Sequence, residues 1–156
     1  MKNKVFIFLV IFALTSFSQI NSDVISFSLG NLPSANFGLN YQHKLRDKNT
    51  IGVCVESSLQ QEPDQSTDFI IDYCHYFKKA FDGLSIFPLS GVSFQLANRT
   101  ELPLMAGMSY RWAFPIKLTL SAGGAFGAVF RFNNWQYENT AFRFRGLIDI
   151  GYLFGE

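Results

Sequence analysis

Charge is scarce in this chain. Only 16% of its 156 residues are Asp, Glu, Lys or Arg, well short of the quarter or so usual in a globular domain. Neither sign prevails, because 13 Lys and Arg against 12 Asp and Glu leave a net charge of +1. Without a basic surplus to neutralise phosphates, nucleic acid is excluded as a partner class. Cysteine and histidine number 2 each, and two thiols without inward-facing imidazoles make half a zinc site. No cofactor is called for. No apolar run reaches the roughly 20 residues of a membrane-spanning helix. What is abundant is aromatic and apolar: 17% aromatic, 48% hydrophobic, with 18 Phe and 12 Gly. That composition excludes a disordered chain, which needs few aromatics and a high net charge.

The first residues read as a targeting segment. Lys2 and Lys4 precede an apolar run from Val5 to Leu14, and Thr15, Ser16 and Ser18 follow. That order is a secretory signal peptide, and its apolar run is too short to span a bilayer. Cleavage is placed near Ser18, dividing the chain into a signal peptide over 1–18 and a mature domain over 19–156. No Cys follows the run, so lipid attachment is not expected. An exported chain without a spanning helix is either soluble outside the cytoplasm or crosses a membrane as a closed β-barrel.

Periodicity supports strands throughout. From Ile116 to Phe132 one row reads Ile116, Leu118, Leu120, Ala122, Gly124, Phe126, Ala128, Phe130, Phe132; the alternate row reads Lys117, Thr119, Ser121, Gly123, Ala125, Gly127, Val129, Arg131. The closing segment sets Phe142, Phe144, Gly146, Ile148, Ile150, Tyr152 and Phe154 against Arg143, Arg145, Leu147, Asp149, Gly151 and Leu153. Similar alternation begins at Ile25, Phe37, Ile51, Phe69 and Leu104. The segment from Leu84 to Leu96 is less regular, and Pro88 within it predicts a bulge or an early strand end. Eight segments separated by short polar breaks predict an all-β, eight-stranded, antiparallel up-and-down barrel with short turns.

Three features favour lipid over water on the apolar face. The other row is rich in Gly, Ser, Ala and Thr, which suit the narrow interior of an eight-stranded barrel. Aromatics gather toward both segment ends: Phe77, Phe81, Trp112, Phe114, Tyr152 and Phe154 at one, Phe37, Phe69, Phe132, Trp135 and Tyr137 at the other. Aromatic girdles at both interfaces mark membrane barrels. Finally, Lys44, Glu56, Asp68, Asp72, Arg111, Lys117, Arg131, Arg143, Arg145 and Asp149 all occupy the polar row. An Arg or Lys at the lipid midplane costs roughly 2–4 kcal/mol, so lipid demands this segregation.

The exported N-terminus, the eight alternating segments and the closing Phe142–Phe154 strand resemble small bacterial outer-membrane barrels of the OmpA/OmpX type. The resemblance implies a Gram-negative outer-membrane location, lipid as surroundings, and a closing aromatic strand read by the barrel assembly machinery. Gly155 and Glu156 after Phe154 depart from that pattern. It further implies periplasmic termini, with periplasmic turns near Asp47, Lys79 and Pro115 and outer loops near Pro33, Pro63, Arg99 and Trp135.

The candidate chemistry lies on the polar row. Cys54 and Cys74 flank the break at Gln60–Ser66, and a hairpin centred near residue 64 sets them opposite each other. A disulfide is one reading and two free thiols packed in the lumen is the other. The same register opposes Glu56 to Asp72. With Arg111, Lys117, Arg131, Arg143, Arg145 and Asp149 they form an expected lumen charge network, either a structural plug or a pore lining. His43 and His75 fall on the apolar row. A lipid-modifying enzyme needs a His–Ser pair with an acid, and no such spacing is evident. Gly123-Gly124 lies inside a strand and is not a phosphate loop. The leading expectation is a non-enzymatic barrel with a plugged polar interior. Its rivals are a soluble lipocalin-like barrel for an apolar ligand and a lipid-modifying outer-membrane enzyme.

Overall fold

Period-two alternation builds eight strands in the computed structural model, which describes residues 22–30, 36–58, 65–95 and 99–155. They are β1 (Asp23–Gly30), β2 (Asn36–Arg46), β3 (Asn49–Ser58), β4 (Ser66–Tyr76), β5 (Gly83–Gln95), β6 (Arg99–Ala113), β7 (Leu118–Asn133) and β8 (Gln136–Phe154). Each pairs antiparallel with its sequence neighbour, and β1 pairs with β8 to close the barrel. Among the described residues there is no helix. The signal-peptide expectation over 1–18 and the outer breaks near Pro33 and Pro63 lie outside the described residues.

The apolar row points outward on every strand. Phe142 is 70% exposed and Phe144 64%, with Leu39, Ile71, Leu104, Met108, Phe126 and Ile150 similarly bare. The polar row points inward, where Ser26, Ser28, Thr50, Glu56, Ser85, Arg111, Thr119 and Ser121 are buried. An eight-stranded cylinder is just wide enough for side chains to fill. Phe81 corrects the expected aromatic girdle: it turns into the barrel and is buried.

The closure is sheared. One rung can be followed through directly opposed residues: Ser28, Gly38, Glu56, Asp68, Ser93, Glu101, Arg131 and Asn139. Ser28 itself opposes Asp149, so the rung returns ten residues displaced along β8. Such stagger is what lets tilted strands close. It also fixes which inward side chains meet across the lumen.

Two expectations are corrected here. Pro88 makes no bulge and ends no strand. Pairing of β5 with β4 lapses between Asp72↔Leu89 and His75↔Ile86 and resumes in the same register, while Pro88 still opposes Ala106 of β6. Proline lacks an N–H for one ladder only. The β7–β8 connection is also tighter than the outer loop expected near Trp135. It is a two-residue turn, Asn134-Trp135, with φ of 49° and 64°, the positive pair that suits a type I′ hairpin.

Candidate functional site

The lumen is built around two missing side chains. A Cβ on Gly30 would sit 2.9 Å from Glu56 Oε2 and 3.3 Å from Arg145 Nη2, and one on Gly38 would collide with Glu56 Cγ. Glycine at both positions clears a path over β1 and β2, through which Arg145 of β8 reaches Glu56 of β3. Register sets Glu56 opposite Asp68, not Asp72 as the sequence suggested. Two like charges on one rung need a shared cation. Arg145 supplies it, pairing with Glu56 through Nη2 and lying 3.9 Å from Asp68 Oδ2 through Nη1. Asn36 Nδ2 also donates to Asp68 at 3.3 Å.

A second group lies toward the end that carries both termini. Arg111 Nη1 donates to Gln42 Oε1, and its Nη2 is 3.9 Å from Asp149. Ser121 donates to Asp149 at 2.7 Å. Gln42 Nε2 and the Cys74 thiol both donate to Asp72, at 3.3 and 3.1 Å. Beneath them the β4–β5 turn folds inward and stops the barrel. Phe81 sits under Arg111, with the guanidinium 5.9 Å from its ring centre, and packs in one apolar cluster with Val24, Ala80 and Leu153. The Ala80 amide donates to the Asp47 carbonyl at 2.6 Å, tying this turn to the β2–β3 turn. On the turn's outer side the Lys78 ammonium donates to Asp82 at 2.7 Å, and that bond, then the charge attraction, raises its pKa above the ordinary lysine value. The void left between the two charged groups is about 50 Å³, room for a few waters.

A third group occupies the opposite mouth. Glu101 is buried and holds two half-exposed arginines: Arg131 Nε donates at 3.0 Å, and Arg143 donates through Nη1 at 2.7 Å and Nη2 at 3.0 Å. The bidentate geometry matches a planar guanidinium to a carboxylate.

Several sequence expectations change on this geometry. Lys117 is not in the lumen: it lies exposed in the β6–β7 turn with φ 62°, where its carbonyl accepts from Leu153. Cys54 and Cys74 are not opposed. Cys54 faces Ile70 and Cys74 faces Thr50, an offset of four residues or about 13 Å along the strand, too far for a bridge. Both are buried free thiols. Cys54 donates to Glu56 at 3.4 Å and Cys74 to Asp72, so each serves as a small donor in the network. Glu101 and Gln42 were missed as network members. Glu101 was legible by extending the row Arg111, Ser109, Gly107, Met105 back toward Arg99.

The histidines stand outside the barrel, near the end with the termini. His43 Nδ1 meets Asp23 Oδ1 at 2.7 Å, and His75 Nδ1 meets Asn49 Oδ1 at 2.8 Å. The acid beside His43 was also missed; Asp23 continues the outward row Ile25, Phe27, Leu29 by one step. Gly123 and Gly124 lie in β7, and Phe144 packs across the outer face of Gly124.

Comparison with solved structures finds the same architecture. The chain is similar to the N-terminal β-barrel domain of Pseudomonas aeruginosa OprF, with TM-score 0.58 and 15% identity over 86% of this chain and 98% of that one. It is also similar to the de novo designed TMB2.3, with TM-score 0.52 and 12% identity over 86% and 95%. What the chain shares with them is the fold, a closed β-barrel. No family profile and no curated protein matches the chain.

Proposed function

We propose that this chain is a non-enzymatic integral β-barrel of a Gram-negative outer membrane, with a plugged interior and a structural or envelope role. One observation carries the reading: the outward rows of the strands are apolar and bare, while Arg111, Arg145, Glu56, Asp68, Asp72 and Asp149 pair inside. Water would reverse that arrangement, as in a lipocalin-like barrel with an apolar cavity. Lipid requires it, because an exposed charge in hydrocarbon costs several kcal/mol. The small void of about 50 Å³ and the inward Phe81 favour a plugged lumen over a conducting one. The histidine pairs stand outside the lumen, His43 beside Asp23 and His75 beside Asn49. Partners on this reading are membrane lipid and, during insertion, the barrel assembly machinery acting on β8.

The test is extraction and conductance. The folded protein is expected to leave membranes only in detergent, to migrate differently on gels before and after boiling, and to give no steady ion current in a planar bilayer. Partition into the aqueous phase without detergent sinks the membrane reading; a stable current sinks the plug.

A further inference from the structure

The outer rim is a ramp. Strand length rises from 8 residues in β1 to 19 in β8, while the opposite ends stay level. β7 lines one edge of β8 up to Gln136. On the other edge, pairing with β1 stops at Gly30↔Leu147. With strands tilted by about 40° and rising about 3.3 Å per residue, Gln136 stands roughly 25 Å above that last rung. Among the described residues, no strand flanks this side of β8 from Gln136 to Gly146. The five residues between Gly30 and Asn36 leave and re-enter on one rung, so their length allows a climb of about two rungs at most. The chain before Ser22 joins at the opposite end, and on the signal-peptide reading only residues 19–21 of it remain, too few to climb the wall. The edge from Gln136 to Phe144 therefore lies beyond the reach of both.

From Asn139 to Phe144 every second backbone amide and carbonyl on this edge faces outward from the sheet, an irregularity at Glu138 breaking the alternation above, and an unpaired strand edge is a template for another strand. The flanking side chains describe the strand that fits. On the lipid-side row Phe142 and Phe144 are bare. On the mouth-side row Arg143 shares Glu101 with Arg131, two cations to one anion. A fitting strand carries apolar residues on one face and acidic or polar residues on the other.

A second copy of the chain is a poor occupant. On the membrane reading, two barrels inserted in the same sense present β8 edges running the same way, whereas antiparallel pairing needs opposed strands. We propose that the β8 edge from Gln136 to Phe144 accepts, by strand addition, an extended segment of a different polypeptide that alternates apolar with acidic or polar residues.

The experiment uses the full chain folded in detergent micelles, its fold verified by heat-shifted gel migration. The probe is a synthetic nine-residue peptide alternating Val with Asp and Thr, and the readout is residue-resolved amide hydrogen exchange. Exchange at alternate amides between Asn139 and Phe144 is expected to slow by roughly tenfold or more, with β4 and β5 amides unchanged. The same peptide N-methylated on its pairing amides is expected to do nothing. Unchanged exchange at saturating peptide, or equal protection by the N-methylated peptide, overturns the proposal while the heat-shifted band leaves the barrel reading intact. Edge amides already protected without peptide, in a particle that sediments as a dimer, overturn the choice of occupant. A chain that remains soluble without detergent overturns the membrane reading instead.

Discussion

Arg145 is the residue on which the buried charges turn. Among the described residues it alone bridges Glu56 and Asp68, which share one rung at the middle of the lumen. Replacing one partner of a buried ion pair strands the other without water, at a cost of about 3–5 kcal/mol. Arg145→Met is expected to lose about that much, measured as a lowered urea midpoint for refolding into lipid vesicles. Adding Glu56→Gln is expected to restore part of it; no recovery would contradict the shared-cation arrangement. The thiols give a second check at this scale. Cys54 and Cys74 are free and buried, so a maleimide is expected to label neither in the folded barrel and both after boiling in denaturant. Gel migration is expected to be the same with and without reductant. The polar row made the inward placement of these residues legible in the sequence. Their partners were not, because a shift of four residues in one hairpin register moved Glu56 from Asp72 to Asp68 and Cys54 from Cys74 to Ile70.

At the scale of elements, the alternation of Ile116–Phe132 and Phe142–Phe154 announced β7 and β8, but the sequence understated their reach. Asn133 to Asn139 is polar and carries Trp135 and Tyr137, which reads as a loop by composition. Positive φ at Asn134 and Trp135 instead folds it into a two-residue turn, and pairing continues to Asn133↔Gln136. Tryptophan is a poor residue for that conformation. Trp135→Gly is expected to raise stability by about 0.5–1 kcal/mol, read from the same urea transition; a loss would show that the indole contributes contacts outweighing its backbone strain. Pro88 teaches the converse. A residue that forbids one ladder left the strand unbroken, because the β6 side still pairs.

For the whole molecule, strand number, order and facing follow from periodicity and from where the charges fall, and these were legible. The ten-residue displacement of the closing rung was not, since it is a property of the cylinder and appears in no single hairpin. The ladders it creates are unequal: β1 and β8 share eight pairs, β7 and β8 sixteen. Amides of β1 are expected to exchange with solvent hydrogen sooner than those of β7 in the folded protein, and equal rates would deny the difference. That disparity gives the cylinder a seam. Heated or pulled, it will unzip where its first strand meets its last, and during insertion the same seam must wait for β8 before the wall can be joined at all.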